Sequence, residues 1–418
     1  MRILQVSHLY APSIGGNQAQ TQGLSDTLSV WGEDVTVFTT NALLPGQLTR
    51  FDPGFTPLPK CETIGGVTVR RFTPWYLGHK LFATSATITN PLLRGIKATR
   101  LRDSAMLLRS RGPFVPQMLW AVRQLKPDVI QVHGGYPATT YFCYLAKRYF
   151  GYPLVIRPTT HVSQGWHTHP MQLEFYRTAD LLIVSTEFER GVLIGQGLPE
   201  GKIVRIGNGL DPTPFLQGEG APFRRKYHIG NRQIVAFVGR RAQGKGIEPL
   251  IEAMRHVWKK MPSPCLVLAG NRDSEHAGVL DERINAVRRE GIGQVVDIDD
   301  FDEEEKAQIF AACDLFVMTS NTDSFGIVYL EAWASGKPVV ACRKTPQETI
   351  ITEGKDGSLV DYGNVPELAR TILNLLADDN LRGKMGHAGR QKVLASYTWE
   401  TVASQTRDEY HKLIESRR

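Results

Sequence analysis

The sequence predicts an α/β protein built from two doubly wound parallel-sheet domains. Its 418 residues are too many for one ordinary hydrophobic core, so two domains are expected. Residues 1–40 alternate strand, helix and strand patterns, and residues 313–341 repeat that order in the second half. The apolar strand in the later segment is short and continuous, which is typical of a strand buried on both faces of a parallel sheet.

The opening unit starts with a strand pattern in residues 1–10, followed by a turn that contains the pair Gly15-Gly16. A helical pattern then runs through Trp31, and residues 35–38 predict the next strand. The glycine pair does not fit the G-x-G-x-x-G fingerprint, so dinucleotide binding is not predicted.

The bulk composition is that of a soluble globular enzyme, with 42% hydrophobic and 22% charged residues. The five cysteines are scattered and form neither a disulfide framework nor a zinc spacing, which favours a reducing compartment. The sequence opens directly as a strand, without the features of a signal peptide, and no apolar run reaches the length of a membrane span. We expect a cytoplasmic protein.

The net charge of +7 is uneven, because all of the positive excess lies in residues 1–210. Basic and apolar residues interleave between residues 94 and 126, a composition that suits helices on an anionic membrane surface or beside an anionic, lipid-linked acceptor. A solvated helical face is the alternative interpretation, and nucleic acid is not expected as a partner. The candidate acceptor or membrane residues are Arg94, Lys97, Arg100 and Arg102.

The segment 313–341 carries the strongest candidate site. A buried strand ends near residue 318, a polar loop follows, and a helix is predicted to begin at Phe325, capped by Asp323 or Ser324. Asp323 and Glu331 are eight residues apart, or about 12 Å along a helix. Free amides at the helix start favour an anion between them, although the two carboxylates can also be an ordinary cap and a solvated side chain. The candidate amides are those of Ser324, Phe325, Gly326 and Ile327.

The run Asp323-Ser-Phe-Gly-Ile-Val-Tyr-Leu-Glu331 resembles the Glu-x7-Glu signature of retaining glycosyltransferases with the GT-B fold, family 4 (glycosyl transferases group 1). The resemblance implies two Rossmann-like domains that face an interdomain cleft. It also implies that the first carboxylate holds hydroxyls of the donor sugar, the amides hold the diphosphate, and Glu331 holds the ribose. Asp323 replaces the usual Glu, so we expect a different donor sugar or weaker sugar binding.

Residues 239–246 allow two interpretations. Gly239 to Lys245 fits the G-x-x-x-x-G-K cradle of nucleoside-triphosphate hydrolases, but Gly246 offers no hydroxyl for magnesium. The same residues resemble the Gly-Arg-x4-Lys-Gly element of family 4 enzymes. That resemblance implies that Arg240 and Lys245 neutralise the donor diphosphate without a metal.

Candidates in the first domain rest on the resemblance and on position. A glycine pair at Gly16 and an Asn-Gly-Leu-Asp element beginning at Asn208 look like donor-side elements of the family. A family histidine lies beside the anomeric carbon, and His161 is the first candidate for it, about two residues late in register. His133, at the end of another predicted strand, is the second.

No metal or cofactor is predicted. Asp297-Ile298-Asp299 matches the manganese-binding D-x-D pattern, but it precedes an acidic helix start that explains the charge more simply. The histidines near residue 161 lack the further ligands that a metal site needs.

These interpretations predict domains at residues 1–210 and 211–395, with a helix over 396–418 that crosses back to the first domain. The predicted function is retaining, metal-independent transfer of a sugar from a nucleoside diphosphate sugar (UDP or GDP) to an acceptor hydroxyl. A lipid-linked saccharide in polysaccharide or glycolipid synthesis is the expected acceptor. A P-loop NTPase, a GT-B protein that binds nucleotide sugars without turnover, and a GT-B epimerase are the alternatives.

Overall fold

The computed structural model describes residues 1–13, 15–48, 54–75, 112–159, 168–273 and 277–417. The chain divides into two compact units, Met1–Gly209 with Trp399–Arg418, and Leu210–Thr398. Each unit is a parallel sheet flanked by helices, which confirms the predicted fold class. The two units are described separately below.

The first unit contains a sheet of eight strands. They are β1 (Arg2–Val6), β2 (Asp34–Thr40), β3 (Cys61–Ile64), β4 (Val67–Phe72), β5 (Val129–His133), β6 (Leu154–Arg157), β7 (Leu181–Val184) and β8 (Ile203–Arg205). Their order is β3-β4-β2-β1-β5-β6-β7-β8, and every neighbouring pair is parallel except β3 with β4. From β1 the strand order proceeds outward to β2 and β4 on one side, and from β5 it proceeds outward to β8 on the other. Ligands of such sheets bind at the carboxyl ends of the strands where the two directions meet, here β1 and β5.

Helices α1 to α5 accompany this sheet. They are α1 (Gly16–Val30), α2 (Gln117–Leu125), α3 (Pro137–Phe150), α4 (Pro170–Thr178) and α5 (Glu187–Gly195). The strands β5 and β6 are buried along their whole length, including the polar Gln131 and His133 of β5 and Arg157 of β6.

The second unit contains a sheet of six parallel strands. They are β9 (Ile234–Val238), β10 (Cys265–Ala269), β11 (Gln294–Ile298), β12 (Leu315–Val317), β13 (Val339–Cys342) and β14 (Gly357–Val360). Their order is β11-β10-β9-β12-β13-β14, so the direction changes between β9 and β12. The loops that leave these two neighbouring strands therefore emerge at the same edge.

The helices of the second unit alternate with its strands, as the βα pattern of the sequence predicts. They are α6 (Thr213–Gln217), α7 (Gly220–Lys226), α8 (Ile247–Lys260), α9 (Ala277–Glu290), α10 (Glu303–Ala312), α11 (Ile327–Ala334), α12 (Val365–Ala377) and α13 (Asp379–Ser396).

The last helix, α14 (Trp399–Glu415), belongs to the first unit. Its Tyr410 is fully buried against the sheet and donates a hydrogen bond to Gln131 Oε1 over 2.6 Å. The ring of Trp399 lies against Gly23 and Gly209, where a Cβ would overlap it. These contacts attach α14 to the unit in which the chain begins.

Among the described residues, no helix is both long and apolar enough to cross a membrane.

Candidate functional site

The loops that follow β9 and β12 lie against each other in the second unit. The strands are parallel neighbours, with Leu315 paired to Val235 in register. The amide of Asn321 donates to the carbonyl of Gly244 over 3.0 Å. The two sequence elements singled out separately, residues 239–246 and 319–327, are thus parts of one site.

Lys245 and Asp323 join the two loops by an ion pair between Nζ and Oδ1. Each side chain is only 16% exposed. The second carboxylate oxygen, Asp323 Oδ2, is buried and has no hydrogen-bond partner among the described residues. A buried oxygen of this kind is available to a hydroxyl donor, which would restore a hydrogen bond that water no longer provides.

Gly246 ends the first loop in a left-handed conformation, with φ of +79°. A Cβ at this position would lie 2.5 Å from the carbonyl oxygen of Thr319. A serine or threonine, the residue that binds magnesium in a P-loop, therefore has no room here. Only glycine fits at residue 246, because the two loops approach each other so closely. This geometry argues against the NTPase interpretation.

The helix of the carboxylate motif starts later than expected. Its first residue is Ile327 and its N-cap is Gly326, with φ of +86° and no side-chain cap. The prediction that Asp323 or Ser324 caps a helix from Phe325 is wrong, since the Asp323 carboxylate pairs with Lys245 instead. The amides of Ser324 and Phe325 thus precede the helix, while those of Gly326 and Ile327 lie at its start.

Gly326 is required by its surroundings as well as by its backbone conformation. A Cβ there would lie 2.5 Å from the ring of Tyr329. That ring is fully buried, and its hydroxyl donates to the carbonyl of Met318 at the end of β12. Tyr329 thereby fastens the helix start to the strand and leaves no space for a side chain at residue 326.

Glu331 lies five residues beyond Gly326 and is buried, with 4% of its surface exposed. Its Oε1 is 2.6 Å from Lys306 Nζ, and its Oε2 is buried without a partner among the described residues. The alternative that Glu331 is a solvated helix residue is therefore wrong. Both carboxylates of the motif share one arrangement, in which a lysine holds one oxygen and the other oxygen is unpartnered.

Lys306 was not predicted from the sequence. It lies on α10, directly after three glutamates, and a charged run of this kind is typical of a solvated helix face. Burial alone lowers the pKa of Lys306, but attraction to Glu331 and Glu303 outweighs burial and raises it above its ordinary value. Burial raises the pKa of Glu331, and Lys306 opposes that rise.

Two adjacent arginines have opposite environments. Arg240 is exposed at the end of the first strand of the unit, as expected for a residue that meets a ligand. Arg241 is fully buried, and its Nε donates to the carbonyl of Gly270 over 2.6 Å. Arg241 also pairs with Asp297 and Asp299, the two acids of the D-x-D pattern. Both acids therefore already have a cationic partner within the protein.

Among the residues that the structure describes, no group of His, Cys, Asp and Glu is arranged to hold a metal ion.

His133 ends β5 at the ligand-binding edge of the first unit and is fully buried. Its Nε2 lies 2.6 Å from Gln5 Oε1 and 3.1 Å from Gln131 Nε2. Its Nδ1 has no partner within the described ranges. Burial, with a contribution from Arg157, lowers the pKa of His133 to about 3, so the imidazole is neutral at physiological pH. A direct role at the anomeric centre stays a prediction.

The two other described candidates of the first unit occupy defined positions. Gly16 is the first residue of α1, directly after the loop that leaves β1. Asn208 is buried, and its Oδ1 accepts hydrogen bonds from Arg157 Nη2 over 2.9 Å and Ser185 Oγ over 3.2 Å. Asn208 is thus held in place by two other side chains of the first unit.

The remaining candidates lie outside the described residues. They are His161 and the basic residues Arg94, Lys97, Arg100 and Arg102.

Two family models match this chain in succession. The model described as Glycosyltransferase Family 4 matches residues 65–213, and that described as Glycosyl transferases group 1 matches residues 221–392. The second match contains all of the second-unit site residues named above.

Named relatives are similar over part of their length. The sulfoquinovosyl transferase SQD2 of Arabidopsis thaliana is 28% identical over 71% of this chain and 59% of its own length. A D-inositol 3-phosphate glycosyltransferase of Corynebacterium urealyticum is 31% identical over 60% of this chain and 62% of its own length. This chain therefore matches about three fifths of the length of either relative.

Solved structures share the whole fold. The sucrose-phosphate synthase of Thermosynechococcus elongatus has a TM-score of 0.74 at 22% identity, with 99% of both chains covered. Anabaena Alr3699/HepE in complex with UDP and glucose has a TM-score of 0.70 at 18% identity, covering 98% of this chain and 99% of its own. At these identities the likeness concerns the fold, which is GT-B.

Two successive family matches across both units, the GT-B fold, and a carboxylate motif assembled with its lysines lead to one conclusion. The chain belongs to the glycosyltransferases of family 4, group 1.

Proposed function

We propose that this protein is a retaining, metal-independent glycosyltransferase that moves a sugar from a nucleoside diphosphate sugar, UDP- or GDP-linked, to an acceptor hydroxyl. One observation carries the proposal: Lys245 and Asp323 meet across two loops, with the α11 N-terminus and Glu331 following on the same segment. This arrangement offers cations and amides to a diphosphate, and carboxylate oxygens to the sugars on either side of it.

In this proposal Lys245 exchanges partners when the donor binds. Its ammonium turns from Asp323 to the diphosphate, and the amides of Gly326 and Ile327 bind the same phosphate oxygens. The exposed guanidinium of Arg240 adds a second cation. Asp323 is then released to accept hydrogen bonds from donor-sugar hydroxyls, and Glu331 accepts them from the ribose.

Charge stabilisation is the chemical work of these groups. Glycosyl transfer leaves a nucleoside diphosphate, whose growing negative charge Lys245 and Arg240 offset without a metal. The leaving phosphate takes the proton of the attacking hydroxyl on the same face of the sugar, which retains the anomeric configuration. His161 or His133 borders that centre in this scheme.

For the acceptor we propose a lipid-linked saccharide, in polysaccharide or glycolipid synthesis on the cytoplasmic face of a membrane. Two relatives support this choice by name. One is a phosphatidylinositol monomannoside mannosyltransferase of Mycolicibacterium smegmatis that depends on GDP-mannose, and the other is the lipopolysaccharide core glycosyltransferase LpsE of Rhizobium meliloti. The basic excess of residues 1–210 is consistent with such a surface.

The test combines binding with turnover. A thermal-shift panel of UDP-, GDP- and ADP-sugars identifies the donor, and sugar transfer to lipid-linked saccharide acceptors is then measured with and without EDTA. We expect EDTA to leave the rate unchanged. Lys245→Ala and Glu331→Ala should each lower the transfer rate well over tenfold, because each removes a charged contact to the donor.

Lys226→Ala is the matched control, since Lys226 forms an exposed ion pair with Glu305 in the same unit. Near-normal turnover in either site variant would contradict these roles. Donor binding without turnover on any acceptor would favour a binding protein, conversion of the nucleotide sugar itself would favour an epimerase, and magnesium-dependent ATP hydrolysis would favour the NTPase.

A further inference from the structure

Glu331 does not act alone in the second unit, because the neighbouring helix supplies it with a cation. We propose that Lys306 is a positioning residue for the donor: it keeps Glu331 ionised and fixes its carboxylate, so that the second oxygen accepts hydrogen bonds from ribose hydroxyls. The inference rests on the proposed function, from which it takes the ribose as the group that Glu331 binds.

The geometry holds Lys306 in place from three sides. Its Nζ lies 2.6 Å from Glu331 Oε1, 3.3 Å from Glu303 Oε2 and 5.9 Å from the centre of the Phe215 ring. The side chains of Lys306 and Glu331 are 16% and 6% exposed. A lysine confined in this way leaves the glutamate one orientation, with Oε1 occupied and Oε2 unpartnered among the described residues.

Lys306 is the cation directed at Glu331 from the described elements packed around α11. On α10, Glu303 adds a negative charge close to the pair. From α13, Arg390 donates to a backbone carbonyl and Lys392 pairs with another carboxylate. Helix α6 and strand β13 carry no charged residue. The ionisation of Glu331 therefore depends on Lys306.

Removal of Lys306 should shift the pKa of Glu331 in a predictable direction. Burial raises the pKa of Glu331, and Lys306 counteracts it by charge and by its hydrogen bond. In Lys306→Met, burial and Glu303 act unopposed and raise that pKa further. Below the raised pKa, Glu331 carries a proton and loses acceptor capacity toward the ribose. The variant should consequently bind the nucleotide more weakly at low pH and recover as the pH rises.

The experiment measures dissociation constants by calorimetry for UDP and GDP, each compared with its 2′,3′-dideoxy analogue, from pH 6 to pH 9. For the better-bound nucleotide, we expect Lys306→Met to weaken binding about tenfold at pH 6, as for a lost hydrogen bond to a charged group. The difference should shrink toward pH 9. Wild-type and variant should bind the dideoxy analogue equally, because the analogue has no ribose hydroxyls for Glu331.

Two further substitutions sharpen the measurement. Lys306→Arg keeps the charge and should restore tight binding at pH 6. Lys226→Met removes an exposed ion pair to Glu305 on the same helix α10 and should leave both constants unchanged. If Lys306→Met weakens binding of the dideoxy analogue as much as that of the parent nucleotide, Lys306 is a structural residue and the inference is overturned. Unchanged binding of the parent nucleotide would overturn it as well.

Glu331→Gln separates this inference from the proposed function. If Glu331→Gln still prefers the parent nucleotide over its dideoxy analogue as the wild type does, the ribose assignment itself fails. If that preference is lost in Glu331→Gln but kept in Lys306→Met, only the role of Lys306 fails. The double variant removes both buried charges, which protects the fold if Lys306→Met alone is unstable. It should bind no more weakly than Glu331→Gln alone.

Discussion

The carboxyl-end edges of the two sheets hold their buried polar side chains in different ways. In the second unit they are charged and paired, as in Lys245 with Asp323 and Lys306 with Glu331. In the first unit His133 is neutral and joined to two glutamines, and the buried Arg157 beside it donates to backbone carbonyls and to Asn208. A buried charge is stabilised by a counter-charge or by several hydrogen bonds, whereas a buried neutral group needs only a hydrogen bond. In the proposed function, the second unit therefore exchanges an internal ion pair for an anionic ligand.

The largest expected effect concerns the ion pairs of Arg241 in the second unit. Arg241→Leu leaves Asp297 with Arg272 as its remaining cation and removes one donor each from the carbonyls of Gly270 and Ile298. We expect a loss of about 3 kcal/mol in the free energy of unfolding, measured by urea denaturation. Arg240→Leu is the matched control, because its side chain is exposed; its unfolding should match the wild type within about 0.5 kcal/mol. Equal effects at the two positions would mean that Arg241 does not serve as the internal counter-charge.

A second, smaller effect tests the neutral histidine of the first unit. The pKa of His133 is lowered from 6.5 to about 3. Between these two values the histidine is protonated in the unfolded chain and neutral in the folded protein. Stability is complete above pH 6.5 and falls as the pH drops toward 3. Between pH 7 and pH 5 this histidine should cost about 2 kcal/mol. In His133→Gln that part of the acid dependence should disappear from urea unfolding at the two pH values.

His8 serves as the reference, since burial lowers its pKa to about 4 and it stays in the variant. Some acid dependence should thus persist in His133→Gln. An identical loss of stability in variant and wild type would show that folding does not lower the pKa of His133, and the two edges would then differ less than we argue.

The smallest expected effect concerns the hydroxyl of Tyr410, which joins α14 to the hydrogen-bonded side chains of Gln5, Gln131 and His133. Tyr410→Phe removes the hydrogen bond to Gln131 Oε1 and the one received from Gln5 Nε2. The free energy of unfolding should drop by about 1–2 kcal/mol, because the buried amides lose a partner. Tyr149→Phe, at a residue that is 73% exposed in the same unit, should change nothing measurable in the same denaturation experiment. A loss for Tyr410→Phe no larger than for this control would show that water already satisfies the network.

Much of the second-unit site was predictable because its signals are local. The strand that ends near Met318 and the glycines at 246 and 326 are read from short stretches of sequence, and the structure accounts for each. The start of α11 was missed by two residues, since the sequence does not reveal that Asp323 is engaged by Lys245. The alternation of Gln131 and His133 on one face of β5 was a usable signal for the hydrogen bond between these two side chains.

The sequence by itself determined the α/β architecture, the family resemblance and the position of the carboxylate motif, because these depend on periodicity and spacing within a few dozen residues. Only the tertiary structure decided which of Arg240 and Arg241 is buried, that Lys306 reaches Glu331, and that Tyr410 closes the network around Gln131. The physical reason is that ionisation and hydrogen bonding of a buried group depend on solvent exclusion and on partners far away in the chain. A linear pattern contains neither.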